Sequence, residues 1–487
     1  MPTARIAWSG PSLAPTDPYG PTGLLCTWLQ NLQLDDVPTT TRERAKDVLL
    51  DGFGCAIVGA QLPWSRTAVE TALRFEGQGS RSIIGWGRTA SATTASLLNG
   101  TFIQGFELDD VHPHAPLHSG ALIIPALLAC AEERGEVTGA EFLLGAVAGF
   151  EVGPRVGLAL RGGQMLSRGW HSGAVFGTHA AAAAAGILLR LDAARFEDAF
   201  GLAGTQSAGL MAAQFEAMCK RMHHGFSARN GLFSALMAAG GYTGIKRVFE
   251  RSYGGFLSMF GEGHDPIPAE IASDLGSRWE TDRIVIKPYA AMGALHAPLD
   301  GIFAMMAEKP IVPEAIECID IYMGHFAYQH GWWELTRPIT PVGAQMNVGY
   351  AVAVAVLDGQ ALVQQFSPNR IDRDDVWHLI PRIRAHHDKR FDMDPTSRLG
   401  MLMIVKFVDG SHRQISVAAP KMVAAPLDRE GIVAKFRHLT NGLISDDRQS
   451  AIIETVLDLD DSPSIEQLTA LLAPEVGSPF QVEISTL

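Results

Sequence analysis

Six consecutive alanines followed by a glycine form the middle of the segment HAAAAAAGILLRL at residues 179–191. Alanine is the strongest helix former, and side chains this short allow neighbouring helices to pack closely. The segment therefore predicts a helix in the interior of a bundle. Further segments with apolar residues at helical spacing lie at residues 42–60, 92–106, 119–135 and 140–153. Together they predict a mainly α-helical fold for the first part of the chain, residues 1–283.

The pattern changes after residue 283, where short strand-like segments begin. Strands are predicted at RIVIK (283–287) and IECIDIYMG (316–324), and a hairpin at residues 398–418 turns at Asp409-Gly410. Helical spacing returns at residues 348–363, 428–439 and 464–474. We therefore predict a large all-helical domain formed by residues 1–283 and 425–487, with a smaller α/β (α+β) domain, residues 284–424, inserted into it.

Charge and cysteine content exclude several classes of function. The chain has 487 residues and a formal net charge of −13, without the basic stripe of a nucleic-acid-binding protein, so an anionic substrate needs local cations. The five cysteines are scattered and form no C-x-x-C pair, which indicates reduced thiols. The N-terminal stretch lacks a signal-peptide pattern, and no apolar run approaches the roughly 18 residues of a membrane span. We expect a cytoplasmic protein that binds neither nucleic acid nor membrane.

The segment ELDDVHPHAPLHSG (residues 107–120) combines acidic side chains and imidazoles on the connection between two predicted helices. Such connections often carry catalytic groups. Its aspartates and histidines are also metal-ligand types, but two prolines interrupt the stretch and it contains neither H-E-x-x-H nor cysteine, so we predict no metal. The chain also lacks G-x-G-x-x-G, Walker and G-x-S-x-G motifs, and we predict no cofactor.

The tripeptide His-Ser-Gly occurs twice, at residues 118–120 and 171–173, each time before a run of small and apolar residues. A serine can cap such a helix, and the free N–H groups of its first turn attract anions. His118 and His171 would add a donor or a titratable proton at these two helix ends. Facing each other, the two ends would bind a carboxylate. The alternative is two capped helices with solvated imidazoles.

Positive charge is concentrated in the segment CKRMHHGFSARNG, which contains Lys220, Arg221 and His223. Gly225 is predicted to break the chain there, before a helix that is capped near Ser227. This concentration predicts an anion-binding region in an acidic protein, and a solvated basic face is the alternative.

A further cation lies in the segment IKPYAAMGALHAP. Lys287 ends a predicted strand, and His296 follows on a predicted helix. A lysine at a strand end more often belongs to the ordinary surface than to a catalytic site.

Several long blocks of the sequence resemble the MmgE/PrpD family, and the resemblance runs over nearly the whole chain. The blocks are RAKDVLLDGFGCAIVGA, FIQGFELDDVHPHAPLHSGALIIPA, GFEVGPRVGLAL, RGWHSGAVFGTHAAAAAAG, KRMHHGFSARNGLFSALMAAGGYTGIKRVFERSYGGFLSMFG and VIKPYAAMGALHAPLDG. Within the family the chain looks most like the fungal-type cis-aconitate decarboxylases. The family also contains 2-methylcitrate dehydratases and iminodisuccinate epimerases. The resemblance implies a cofactor-free homodimer, each subunit having a helical domain and a smaller lid domain with the active site between them.

The resemblance also assigns site residues. The imidazoles and lysines of the family's site fall on His118, His171, Lys220 and Lys287. Glu107 stands where much of the family has aspartate, and Val111 where threonine is common, so one pocket wall differs in reach and polarity. His114 has no counterpart in the family.

The reaction implied by the resemblance is decarboxylation of cis-aconitate to itaconate and CO2. In it we expect Lys220 and Lys287 to bind substrate carboxylates and stabilise a dienolate. A proton is expected from His118 or His171, with Glu107 and Asp110 orienting an imidazole. Further substrate contacts are expected from Arg221, His223 and His296. The alternatives are a dehydratase or epimerase acting on a related polycarboxylate such as 2-methylcitrate, and a non-catalytic dimeric protein that binds polycarboxylates.

Overall fold

The computed structural model describes residues 10–393 and 398–480 of the chain. Its first part is helical and contains one small antiparallel pair of strands, β1 (Arg81–Ile83) and β2 (Arg88–Ala90). The helices of this part are α1 (Pro21–Asn31), α2 (Thr39–Ala60), α3 (Pro63–Phe75), α4 (Ala92–Ile103), α5 (Gly120–Arg134), α6 (Gly139–Ala159), α7 (Gly162–Ser167), α8 (Ser172–Val175), α9 (Gly177–Leu188), α10 (Ala193–Gly204), α11 (Cys219–Ala239) and α12 (Phe256–Phe260).

The later part of the chain combines helices with a second sheet. Its strands are β3 (Ile316–Met323), β4 (Ile383–His387), β5 (Met401–Phe407) and β6 (His412–Val417). Its helices are α13 (His296–Glu308), α14 (His325–Gly331), α15 (Pro341–Met346), α16 (Val348–Asp358), α17 (Pro368–Ile371), α18 (Asp374–Leu379) and α19 (Lys421–Ala424). Three helices follow: α20 (Arg429–Thr440), α21 (Asp446–Leu457) and α22 (Glu466–Leu472). The prediction of a mainly α-helical fold is confirmed.

The alanine-rich segment forms α9 at the centre of the helical part, as predicted. Helix α9 packs against α5, α6 and α11, and residues 180–185 are fully buried. Gly231 on α11 lies so near that a Cβ atom there would come within 2.5 Å of the Cβ of Ala181. Small side chains on both helices therefore permit this close packing.

Helix α11 also shows why one sequence prediction failed. Gly225 does not break the chain; the helix runs through it without interruption, and Ser227 lies inside the helix instead of capping one. A Cβ atom at Gly225 would lie 2.1 Å from the carbonyl oxygen of Leu97 on α4. The glycine is thus required by the close crossing of α4 and α11, and not by a turn.

The larger sheet has the strand order β4-β3-β5-β6. Strand β3 pairs in parallel with β4 and antiparallel with β5, while β5 and β6 form the predicted hairpin. Gly410 in its turn has a φ of +83°, a left-handed conformation that glycine adopts without steric cost. The hairpin prediction is confirmed.

The predicted strand at residues 283–287 is wrong. Within it, Val285 forms an isolated antiparallel bridge with Val111, through two backbone hydrogen bonds of 2.8 and 2.9 Å. The partner is an irregular connection and not a strand, so the pairing stops after one residue. The bridge nevertheless brings Lys287 beside the acidic segment that follows α4.

Helix α6 is long and apolar enough, by length and composition, to cross a membrane. However, 89% of its most apolar window is buried inside the fold. A helix that is apolar on all sides is expected at such a central position in a bundle.

Candidate active site

The connection between α4 and α5, which we call the acidic loop (residues 104–119), is fixed by contacts with residues far from it in the sequence. Lys435 on α20 donates a hydrogen bond to the carbonyl oxygen of Leu108 (2.6 Å) and pairs with Asp51 on α2 (2.5 Å). The ring of His112 lies 3.1 Å from Glu280 through its Nε2 atom. These buried contacts fix the loop backbone beside the helical core. Sequence reasoning missed Lys435 because it is far from the loop along the chain.

Glu107 is buried in the acidic loop and binds three cations. Its Oε1 atom contacts Lys220 Nζ and lies 3.0 Å from Arg221 Nη1, while its Oε2 atom lies 2.9 Å from Lys287 Nζ. Burial raises the pKa of Glu107, but Lys220 and Lys287 outweigh burial and hold this pKa well below its ordinary range. Among the described residues its hydrogen-bond partners do not include an imidazole, so the predicted role of Glu107 in orienting a histidine is wrong. It gathers the predicted cations into one cluster.

The carboxylate that lies beside the His118 imidazole is that of Asp109. Its Oδ2 atom lies 3.1 Å from His118 Nδ1, and its Oδ1 atom lies 3.6 Å from Lys287 Nζ. Burial raises the pKa of Asp109, and the charges of His118 and Lys287 reverse that effect and lower it. With Asp109 beside Nδ1, the other ring nitrogen of His118, Nε2, is left for a ligand. Sequence reasoning did not select Asp109.

Asp110 faces away from the imidazole and caps α5. Its Oδ2 and Oδ1 atoms accept hydrogen bonds from the backbone N–H groups of Ser119 and Gly120, each at 2.8 Å. The predicted orienting role of Asp110 is therefore wrong. So is the predicted cap at Ser119, whose own backbone is already helical. Burial, and next the charge of Asp109, raise the pKa of Asp110 to about 8.

Replacing Asp110 with asparagine should lower the melting temperature. The difference in melting temperature from the native protein should become smaller as the pH rises. The pKa of Asp110 is about 8 when folded and 3.8 in a model peptide. Its contribution to stability is therefore full below about pH 4 and is lost as the pH rises through about 8. The amide also fails to accept one of the two N–H bonds, a loss of about 1 kcal/mol. Calorimetry near pH 5 and pH 8 measures both effects.

The matched control is Asp428→Asn, at the exposed cap of α20, where the side chain accepts the Gly431 N–H at 2.9 Å. Its melting-temperature difference should stay constant over the same pH range. A deficit of the Asp110→Asn variant that widens toward pH 8 would contradict the assignment.

In the second His-Ser-Gly segment the histidine is the cap. His171 Nδ1 accepts the backbone N–H of Ala174 at 3.3 Å, so the predicted cap at Ser172 is wrong. A ring that accepts at Nδ1 carries its proton on Nε2 when neutral. Burial, followed by His223 and Lys220, keeps the pKa of His171 well below its ordinary value. His171 is thus a neutral hydrogen-bond donor.

The two His-Ser-Gly segments meet at α11, which adds two further imidazoles. The ring centroids of His171 and His223 are 4.4 Å apart, and the His224 ring lies 5.0 Å from His118 and 5.1 Å from His171. Burial, and next Lys220, lower the pKa of His223 to about 4. The alternative of a solvated basic face therefore does not apply to this part of α11, because its basic side chains are buried against the acidic loop.

A cavity lies beside this cluster. Its wall contains Glu107, His118, His171 and Lys220, together with Ser172, His330 and Arg398. The apolar part of the wall includes Met211, Met292, Met346, Met422 and Phe326. The cavity thus joins side chains from the helical part of the chain with side chains from the part that contains the larger sheet. Arg398 and His330 had no local sequence signal, since nothing near them in the chain indicates a site.

Other predicted site residues lie behind the cavity wall. Lys287 is fully buried against Glu107 and Asp109. Arg221 is also fully buried and donates to Gln345 as well as to Glu107.

Two histidines that were predicted to contact substrate, His223 and His296, also lie outside the cavity wall. The His296 ring lies 3.2 Å from the carbonyl oxygen of Ala291, and burial followed by Lys287 lowers its pKa to about 3. The His223 ring packs against the ring of His171. Arg221, His223 and His296 are not among the residues that line this cavity, and their substrate contacts stay a prediction.

The possible metal ligands of the acidic loop are committed to protein partners. Asp110 caps α5, His112 contacts Glu280, and Asp109 contacts His118. Within the described residues, no group of three or more His, Cys, Asp or Glu side chains is arranged to hold a metal ion.

Two family models match the chain. The model of the MmgE/PrpD N-terminal domain matches residues 23–267, and that of the MmgE/PrpD C-terminal domain matches residues 289–461. Together they cover most of its length.

Relatives with assigned names align over almost their whole length. The chain is 42% identical over 471 residues to the cis-aconitate decarboxylase-like protein oryM of Aspergillus oryzae, covering 93% of this chain and 98% of the relative. It is 40% identical over 477 residues to the cis-aconitate decarboxylase of Aspergillus terreus, covering 95% and 97%. It is 24% identical over 473 residues to the human cis-aconitate decarboxylase, covering 93% and 95%.

Proposed function

Since this chain belongs to the MmgE/PrpD family, we propose that it decarboxylates cis-aconitate to itaconate and CO2 without a cofactor. The names of the relatives from Aspergillus terreus and Aspergillus oryzae support this reaction. The structural observation that carries the proposal is the cation cluster on Glu107 beside the Asp109–His118 pair. Glu107, Lys220 and His118 from these two groups line one cavity. Cations for carboxylates and a positioned imidazole are the two components that this decarboxylation requires.

The chemistry explains why no electron-accepting cofactor is needed. Loss of CO2 from the CH2 carboxylate of cis-aconitate leaves an electron pair on an allylic carbon. That pair moves through the double bond into a second carboxylate, forming a dienolate. One proton is then added at the far end of the allyl system. A trianion and a proton thus become the itaconate dianion and CO2.

The proposed roles follow from the positions of the side chains. Lys220 at the cavity wall stabilises the dienolate, and Glu107 with Lys287 fixes its position, so the positive charge is in place before the reaction starts. His118 delivers the proton, because its ring lines the cavity and its Nδ1 atom lies beside Asp109, which leaves Nε2 for the substrate. His171 donates a hydrogen bond to a substrate carboxylate.

We further propose the assembly that the family resemblance implies. Residues 284–424 act as a lid domain over residues 1–283 and 425–487, and the protein works as a homodimer in the cytoplasm. The shared cavity supports the lid proposal, because Phe326 and Arg398 line it together with Lys220.

A dehydratase or epimerase acting on a related polycarboxylate, such as 2-methylcitrate, is the second candidate. The four methionines in the cavity wall favour it, since apolar lining accommodates a methyl group. The same cations and imidazole could also support removal of a proton next to a carboxylate.

The decisive experiment incubates the purified protein, after exhaustive dialysis against EDTA, with cis-aconitate and separately with 2-methylcitrate. We expect CO2 and the vinylidene NMR signals of itaconate from cis-aconitate alone. Hydration or dehydration without CO2 would establish the second candidate. Saturable binding without turnover would indicate a binding protein, and activity restored by one divalent metal would contradict the cofactor-free proposal.

A further inference from the structure

Arg398 is a guanidinium in the wall of the candidate cavity, just before β5. Its Nη2 atom donates a hydrogen bond to the carbonyl oxygen of Pro113 at 2.6 Å. The guanidinium carbon lies 5.9 Å from the centroid of the Phe326 ring. A backbone oxygen on one edge and a ring on one face restrict the orientation of the group.

Arg398 differs from the other cations of the site in its ion-pair partners. Lys220, Arg221 and Lys287 all bind the Glu107 carboxylate. Among the described residues, no carboxylate forms an ion pair with Arg398. A guanidinium has five N–H donors, and within the described part of the chain one of them is used, for Pro113. An incoming carboxylate can therefore bind Arg398 without displacing a protein carboxylate.

The fork of N–H groups on a guanidinium matches the two oxygens of a carboxylate. We propose that Arg398 is a specificity-determining residue that binds one carboxylate of the polycarboxylate substrate in a bidentate manner. This inference rests on the proposed function for the identity of the substrate. The bound carboxylate is one that the product keeps, because a guanidinium held on the departing carboxylate would stabilise the ground state and slow the loss of CO2.

The contact with Pro113 gives this subsite a second consequence. Pro113 belongs to the acidic loop, which also contains His118, so Arg398 and the proton donor are connected through a short stretch of backbone. A carboxylate bound to Arg398 therefore lies beside the loop that carries His118. Substrates with one carboxylate fewer lose this contact.

The test compares Arg398→Met and Arg398→Lys with the native protein. KM and kcat are measured with cis-aconitate, and Kd is measured by calorimetry with tricarballylate, a saturated tricarboxylate that cannot form the dienolate, and with glutarate. For Arg398→Met we expect KM and the tricarballylate Kd to rise about 10²-fold, the scale for a lost bidentate charged pair. We expect kcat to change less than about tenfold, because the contact is the same before and during the reaction. Glutarate binding should change less than tricarballylate binding.

Arg390→Met is the matched control, since Arg390 is exposed and pairs with Asp388 outside the cavity. It should behave like the native protein. If Arg398→Met does not fold, Arg398→Lys carries the test, and a rise of its tricarballylate Kd of about fivefold or more is expected because lysine cannot bind in a bidentate manner.

Two results would overturn the subsite. One is a KM and a Kd within about twofold of the native values in the folded variants, and the other is a loss confined to kcat. The proposed function fails separately. If the native protein binds tricarballylate through Arg398 but releases no CO2 from cis-aconitate, the subsite stands and the reaction does not.

Discussion

Replacing Lys220 with methionine should lower kcat/KM for cis-aconitate by about 10²–10³-fold, the scale for removing one preorganised group that stabilises developing charge. Lys220 lies in the cavity wall and its ammonium group is held by Glu107, so it does not need to reorganise when charge develops on the substrate. Methionine keeps most of the side-chain volume and removes the cation. Steady-state kinetics with itaconate detected by NMR measures the effect.

Lys287→Met should lower kcat/KM on the same scale, but for a different reason. Lys287 contacts both Glu107 and Asp109 but lies outside the cavity wall, so its removal disturbs the cation cluster and the partner of His118 together. The matched control is Lys309→Met, an exposed lysine at the end of α13, which should leave kcat/KM unchanged. Native kinetics in both cluster variants would mean that the cation cluster on Glu107 does not contribute to the reaction.

Local sequence patterns predicted most of the helical part correctly because its helices bury long periodic stretches. The interior position of α9 follows from its alanines alone. The error at Gly225 has a tertiary cause, since a glycine in a helix can mean a break or a close crossing, and only the position of α4 decides which. Val285 is a similar case, because its bridging partner is a loop residue that no local pattern identifies.

The candidate site was predictable as a set of segments but not as a set of contacts. The acidic loop, the two His-Ser-Gly tripeptides and the start of α11 do meet in one region. Which carboxylate serves which partner was not predictable, because Asp109 and Asp110 are adjacent and their side chains point in different directions. Lys435 and Arg398 carried no signal, since they reach the site through the packing of distant segments.

Replacing His118 with asparagine should lower kcat by about 10²–10⁴-fold and change KM much less, as expected for loss of a proton donor. His118 lies in the cavity wall, and its Nδ1 atom is 3.1 Å from the Asp109 carboxylate. Asparagine retains a hydrogen-bonding side chain but carries no proton that it can transfer. Asp109→Asn should also lower kcat, because the His118 ring loses the carboxylate that lies beside its Nδ1 atom.

Two further histidines serve to check this assignment. His171→Asn should mainly weaken substrate binding, since a neutral ring that accepts the Ala174 N–H has a hydrogen bond to give but no spare proton. His114→Asn should have nearly native kcat and KM, because His114 is exposed and outside the cavity wall. If His118→Asn and His171→Asn were both close to the native enzyme in activity while His114→Asn was inactive, the proton donor would be His114 and not His118. The Asp109–His118 pair would then be a structural contact of that loop.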